Sequence, residues 1–224
     1  MNLGTLRTWT ANFCGDPNQS RFSAQYLAAI NEAQKQFALD TKSLYKDQSY
    51  SIVDGTATYA LPSDFMFEKA GGITLNGLGL IPKTRAELNF YYSGTDWDDL
   101  TGTPLFYIVD PENARNTIRM VPIPQGADVG TNNLVMTYYP NPADLAADSD
   151  TPLNSTANLA QFHIGIAAYA AWLILNGETP TPELMAKMDK LLAQYSDKSS
   201  EAISLYGNTV SASLRMRGGR YWRS

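Results

Sequence analysis

The sequence is bounded first by what it has little of. It holds one cysteine, Cys14, so no disulfide can close within the chain and no cysteine-based metal cluster exists. It holds one histidine, His163, which removes most acid–base and metal-ligand chemistry. No apolar run approaches the roughly eighteen residues that a bilayer requires. The longest apolar stretch, near Ile164–Leu175, is too short and starts beside His163. The first residues, MNLGTLRTWTANFCGD, lack a basic segment followed by an apolar one. A soluble chain made in a cytoplasm is therefore expected. Glycine-rich phosphate loops, HExxH and GxSxG are also missing. Catalysis, a metal centre and a cofactor are all unexpected.

What is present points to a packed protein. The chain has 224 residues, 44% hydrophobic, with thirteen tyrosines. That length can bury roughly 70% of its unfolded surface, and the composition excludes disorder. A net charge of −5 makes broad binding to nucleic acid unexpected for the body of the chain. The segment Ser211–Ser224, SASLRMRGGRYWRS, has the opposite character. It carries Arg215, Arg217, Arg220 and Arg223, no acid, and the pair Tyr221–Trp222. Arg, Tyr and Trp dominate binding energy at protein interfaces. Gly218-Gly219 would let the segment bend into a groove. The reading is an acidic body with an extended docking tail over 211–224.

Periodicity divides the body. Leu3, Leu6, Thr10 and Phe13 predict a short amphipathic helix stopped by Gly15-Asp16-Pro17. A second helix is expected from Ser23 as N-cap, stapled by Phe22 and Leu27, to about Lys46. Between Gln48 and Tyr139 the period becomes two. Strands are expected near Tyr50–Val53, Thr56–Leu61, Met66–Leu75, Leu78–Pro82, Leu105–Val109, Thr117–Val121 and Leu134–Tyr139. Asp54-Gly55, Asn76-Gly77 and Asp110-Pro111-Glu112-Asn113 are turn signals, the first two of hairpin type. A brief helix is expected around Thr84–Phe90. Helices resume with Ser155 or Thr156 capping an apolar helix closed by Gly177. A last helix starts at Thr181-Pro182 and is expected to end at Gly207-Asn208. The fold class is α+β: a helical bundle from both chain ends (1–47 and 156–210) with an antiparallel β module (48–155) inserted.

Few residues suggest chemistry. His163 in an apolar helix reads as a satisfied structural histidine, and Cys14 as a packed residue. Asp96, Asp98 and Asp99 flank Trp97, and Asp144, Asp148 and Asp150 lie before the third helix. Neither cluster has the spacing of a calcium loop, so solvated loop acids are the plain reading. Asp96, Trp97 and Asp98 are nonetheless the candidate ligand or tail-side contact, since an aromatic face with acceptors suits a sugar.

Several segments together resemble a known family. They are FSAQYLAAINEAQKQFA (Phe22–Ala38), Tyr59-Ala60-Leu61-Pro62-Ser63-Asp64-Phe65, Gly102–Tyr107, Ile118–Pro124 and Leu134–Tyr139. In this order the chain resembles the head-to-tail adaptor proteins of tailed bacteriophages, including the tail tubular proteins of podoviruses. The resemblance implies a non-enzymatic virion protein at the head–tail junction, made in the host bacterial cytoplasm. It implies a ring, twelve-fold in that family, that binds the portal protein and a tail or nozzle protein. Genomic DNA would pass through the ring without sequence-specific binding, and no membrane is involved. The C-terminal segment would reach the portal, making Arg215, Arg217, Arg220, Tyr221, Trp222 and Arg223 the candidate docking residues. The alternatives are another neck or tail-completion component, or a carbohydrate-binding β module of a tail protein.

Overall fold

The structure, a computed structural model, describes residues 1–93, 96–110, 116–153 and 157–217. The chain divides into two compact units, Met1–Leu44 with Asn141–Ser224, and Tyr45–Pro140.

The first unit is helical. Helix α1 (Leu3–Cys14) is capped by the Asn2 side chain, which accepts from the Thr5 amide, and ends on a left-handed Gly15. Leu3, Leu6, Thr10, Ala11 and Cys14 form its buried face, the spacing that the sequence displays. Helix α2 covers Tyr26–Thr41. Its start corrects the expected cap at Ser23: Gln25 is the N-cap and makes no side-chain hydrogen bond. Asp16 does the capping work instead. Its carboxylate, 7% exposed, accepts from the amides of Ser20, Arg21 and Phe22 and from the Tyr26 hydroxyl. Those four donors hold the Asp16 carboxyl below its usual pKa although burial works the other way. The helix also stops earlier than expected, at a left-handed Lys42, because Lys46 already belongs to a strand.

Residues 157–162 form a 3-10 turn that leads into α4 (His163–Leu175). Ser155 and Thr156, the expected caps, lie outside the described residues; Phe162 occupies the N-cap of α4 without a side-chain bond. Helix α4 packs against α1, α2 and the last helix, α5 (Pro182–Arg217), as its nearly all-apolar circumference requires. Gly177 does not end it in a left-handed turn. The chain leaves through Asn176 in a right-handed conformation, with short-range bonds from Gly177 to Ile174 and from Glu178 to Leu175.

Helix α5 runs Pro182–Arg217. Thr181 caps it through Leu184, and Pro182 opens it, as expected. The expected stop at Gly207-Asn208 is absent, and residues 211–217 of the expected extended tail are helical. An interior glycine costs a helix only about 1 kcal/mol. No proline follows Gly207 to break the helix.

The connection 141–153, assigned to the β module from sequence, packs with the helical unit. Asn31 holds Leu145 through both its amide and carbonyl, at 2.8 and 3.1 Å. Gln34, fully buried, donates to the Ala143 carbonyl and accepts from the Leu153 amide. Leu145 and Leu153 then sink into the helical core.

The second unit holds two four-stranded sheets. One has the order β1 (Lys46–Ile52), β8 (Gly130–Pro140), β3 (Phe65–Leu75), β4 (Leu78–Gly79). The other has the order β2 (Thr58–Ala60), β7 (Thr117–Val121), β6 (Phe106–Asp110), β5 (Ile81–Pro82). All pairs are antiparallel except β5 with β6. Asn76-Gly77 forms the expected hairpin, both residues at positive φ (50° and 78°). Asp54-Gly55 forms a turn but no hairpin, because β1 and β2 join different sheets. The third expected turn, over 110–113, lies largely outside the described residues. β3 bulges between Glu68 and Ile73, and a Cβ on Gly72 would meet two carbonyl oxygens at 2.8 Å. Only glycine fits there.

The two-residue period sorts the second sheet cleanly. Tyr107, Ile118 and Met120 join the core that also holds Ile73, Leu75, Leu134 and Met136. Phe106, Ile108 and Val121 form a second cluster with Leu88 of α3 (Arg85–Tyr91). Helix α3 is the brief helix expected from the sequence, opened by a Thr84–Glu87 capping box.

A close approach of α4 to α5 suggests a direct check. A Cβ on Gly165 would lie 2.9 Å from the Lys198 Cβ. Gly165→Val is expected to lower stability by roughly 1–3 kcal/mol, since overpacking outweighs the gain in helix propensity. Urea unfolding of the two proteins reads the difference.

Candidate functional site

A pronounced apolar concave surface lies on the β unit. Leu78, Ile81, Tyr91 and Leu105 line a groove of about 520 Å³, with Leu75 and Leu80 among the other walls. Its origin is local. After the Asn76-Gly77 hairpin, β4 is only two residues long before the chain crosses at Leu80 to the other sheet. Strands so short cannot cover both faces. Leu78 is 74% exposed and Leu105 55%, and Phe90 on neighbouring α3 is 87% exposed. Lys83 and Asp128 are its charged members. An open apolar groove of this kind can bind a partner by burial and offers no reactive group. The signal was legible as Leu78-Gly79-Leu80-Ile81-Pro82, an apolar run closed by a residue that cannot continue a strand.

The Asp96, Trp97, Asp98 candidate comes out differently. Trp97 is 5% exposed and belongs to the Leu88, Phe106, Ile108 and Val121 cluster. Its indole donates to the Asn89 side chain at 2.6 Å, and the guanidinium groups of Arg85 and Arg119 lie 5.7 and 5.6 Å from its ring centre. Arg119 also donates to the Asp98 carbonyl at 2.6 Å and lies 3.1 Å from its carboxylate, too poorly aligned for a hydrogen bond. Asp96 is exposed and turns the chain by accepting from the Asp98 amide. The open ring face that a sugar needs is not there; Trp97 is a core residue. The second acid cluster is likewise structural. Asp144 pairs with Lys35 and Asp148 with Arg7, while Asp150 accepts from the Ala146 and Ala147 amides.

His163 is buried as expected but not satisfied. Neither ring nitrogen makes a well-aligned hydrogen bond, although the Met1 backbone lies near enough to favour the charged form slightly. Burial first, then the Met1 amino group, push its pKa down to about 4. Cys14 is buried with its pKa raised to about 11, chiefly by burial, so it is no nucleophile. Among the described residues no group of three His, Cys, Asp or Glu side chains is placed to hold a metal. No helix among them is long and apolar enough to cross a membrane.

The basic candidates divide. Arg215 and Arg217 occupy the last turn of α5, whereas Arg220, Tyr221, Trp222 and Arg223 lie outside the described residues.

Comparison with known families decides the class. The SU10 adaptor protein family matches over residues 1–217, almost the whole chain. The chain belongs to the SU10 adaptor protein family. Among curated proteins no relative matches. This is a phage head-to-tail adaptor family, so the adaptor is a structural phage protein with its place in the virion. Membership implies association with portal and tail components.

Two outcomes follow from these side chains. Trp97→Ala is expected to destabilise the β unit by about 3–5 kcal/mol, the cost of emptying a large aromatic site, measured by urea unfolding. His163 has a folded pKa of about 4 against an ordinary 6.5, so the unfolded state takes up the proton first. Stability should therefore fall as pH drops from 6.5 towards 4, by roughly 2 kcal/mol between pH 7 and 5. Asp16, Asp64 and Asp150, held low by their partners, lose their contribution only at more acid pH. His163→Leu should flatten that window in unfolding measured at both pH values.

Proposed function

We propose that the adaptor acts as a closed ring of copies, twelve-fold, beneath the portal vertex, extending the DNA channel and carrying the tail or nozzle. The observation that carries this reading is α5, which continues as one helix to Arg217. A helix with a basic end is suited to insertion between subunits of another ring. Arg215, Arg217, Arg220, Tyr221, Trp222 and Arg223 are the portal-docking residues in this reading. The apolar groove of the β unit is the tail-side surface.

Ring formation asks for head-to-tail contacts that close by rotation, and long helices supply lateral surface for them. The net acidic chain repels phosphates, which suits DNA passing without being held. Synthesis in the host bacterial cytoplasm and assembly onto the finished portal complete the proposal.

The test is a truncation lacking residues 211–224. Among the residues of α5 whose burial is described, Met188, Leu191, Tyr195, Ser199 and Ala202 are buried, all before the cut. The truncated protein is expected to keep its unfolding free energy within about 0.5 kcal/mol of the full chain. Its binding to the purified portal, followed by sedimentation, should be lost. Undiminished binding would remove the docking role.

A further inference from the structure

The apolar groove of the β unit has two charged members, and they differ in what they hold. Lys83 is committed: its ammonium lies 3.5 Å from Glu87 Oε1. Asp128 is not. It closes the 3-10 turn Gly126–Asp128, where its amide donates to the Gln125 carbonyl. Its own carbonyl accepts from the Asn133 side chain at 2.7 Å. The carboxylate has no hydrogen-bond or ion-pair partner among the described residues, although Asp128 is only 8% exposed and lines the groove.

These features define the chemistry of an occupant. Leu78, Ile81, Tyr91 and Leu105 stand exposed along about 520 Å³ of open space, so most of the contact must be apolar burial. A nearly buried carboxylate without a donor has lost much of its water, and a cation with N–H groups restores what it lost. Strand addition is closed off on this side. The amides of Ile81 and Lys83 donate to the Leu105 and Tyr107 carbonyls, so Pro82 between them faces the free edge and carries no N–H. Recognition therefore runs through side chains. A two-fold pair of grooves would join apolar walls but supply no cation to either Asp128, since each Lys83 is already held by Glu87.

We propose that the groove seats an apolar segment of the tail-side partner that carries one lysine or arginine. Its apolar side chains cover Leu78, Ile81, Tyr91 and Leu105, and its cation donates to the Asp128 carboxylate. The proposal rests on the groove being the tail-side surface and adds to that reading the chemistry of the partner.

The experiment measures binding of the full chain to purified tails free of the adaptor, by surface plasmon resonance, for wild type, Leu105→Asp and Asp128→Asn. Leu105→Asp is expected to abolish binding. Asp128→Asn should weaken it roughly ten-fold or more, the worth of a hydrogen bond to a charged group. A second measurement on the wild-type chain keeps the test valid if Asp128→Asn folds poorly. Hexylguanidinium, followed by amide NMR shifts at Leu78, Leu105 and Asp128, should saturate at a concentration roughly ten-fold lower than hexylurea, which keeps the shape and loses the charge. Tail binding lost in Leu105→Asp but unchanged in Asp128→Asn, or equal affinities for the two probes, would overturn the cation contact and leave the tail-side surface standing. Tails bound equally by all three proteins, or by none, would remove the tail-side reading itself and the proposal with it. Self-association of the wild type that Leu105→Asp abolishes would assign the groove to a second copy and likewise overturn the proposal.

Discussion

The helical unit depends on two amide side chains of α2. Asn31 and Gln34 hold the backbone of the connection 141–153 in four hydrogen bonds, at Ala143, Leu145 twice and Leu153. Gln34 is fully buried, so each of these bonds replaces water that would otherwise be lost without return. The chain re-enters the unit here after the whole β unit has been built. Without a fixed point at this re-entry, Leu145 and Leu153 would have no reason to reach the core, and α4 would be tethered by a loose loop. An irregular segment cannot satisfy its own backbone, so a helix side chain must do it.

The same constraint explains which boundaries were legible. Periodicity places helices α1 and α3, the end of α4 and the strands within a few residues, because apolar spacing reports directly on a buried face; the start of α4 falls later than expected, after a 3-10 turn. It says nothing of where 141–153 packs, since that segment has no period. Its partners, Asn31 and Gln34, sit on a helix more than a hundred residues away in sequence. Ser23 looked like a cap because its type and the Phe22–Leu27 spacing fit. Asp16 won because one carboxylate could satisfy four donors at once. The hairpin rule read Asn76-Gly77 correctly and misread Asp54-Gly55 for one reason: a turn signal fixes local φ, not which sheet the next strand joins.

At the candidate sites, composition and burial pulled apart. Trp97 among three aspartates has the composition of a sugar platform. Its neighbours Leu88, Phe106, Ile108 and Val121 come from three separate segments, and no local pattern announces that they close over the ring. The groove has the reverse history. Leu78, Ile81 and Leu105 look like ordinary strand residues in sequence, yet the chain changes sheets between them and leaves all three open. Exposure of this sort follows from topology, which is the level that sequence patterns reach least well.

The continuation of α5 changes what the basic segment can do. Residues 207–217 continue the helix, placing Arg215 and Arg217 about 14 and 16 Å along the axis from Tyr206, which packs on the core. A glycine hinge at 207 would have presented the same arginines on a wandering tether, and docking would have had to order every residue of it. A preformed helix carries much of that ordering cost within folding, so more of the contact energy appears as affinity. It also sets a distance. A partner groove must accept the basic end at a reach fixed by the helix, which makes length a determinant of fit alongside charge.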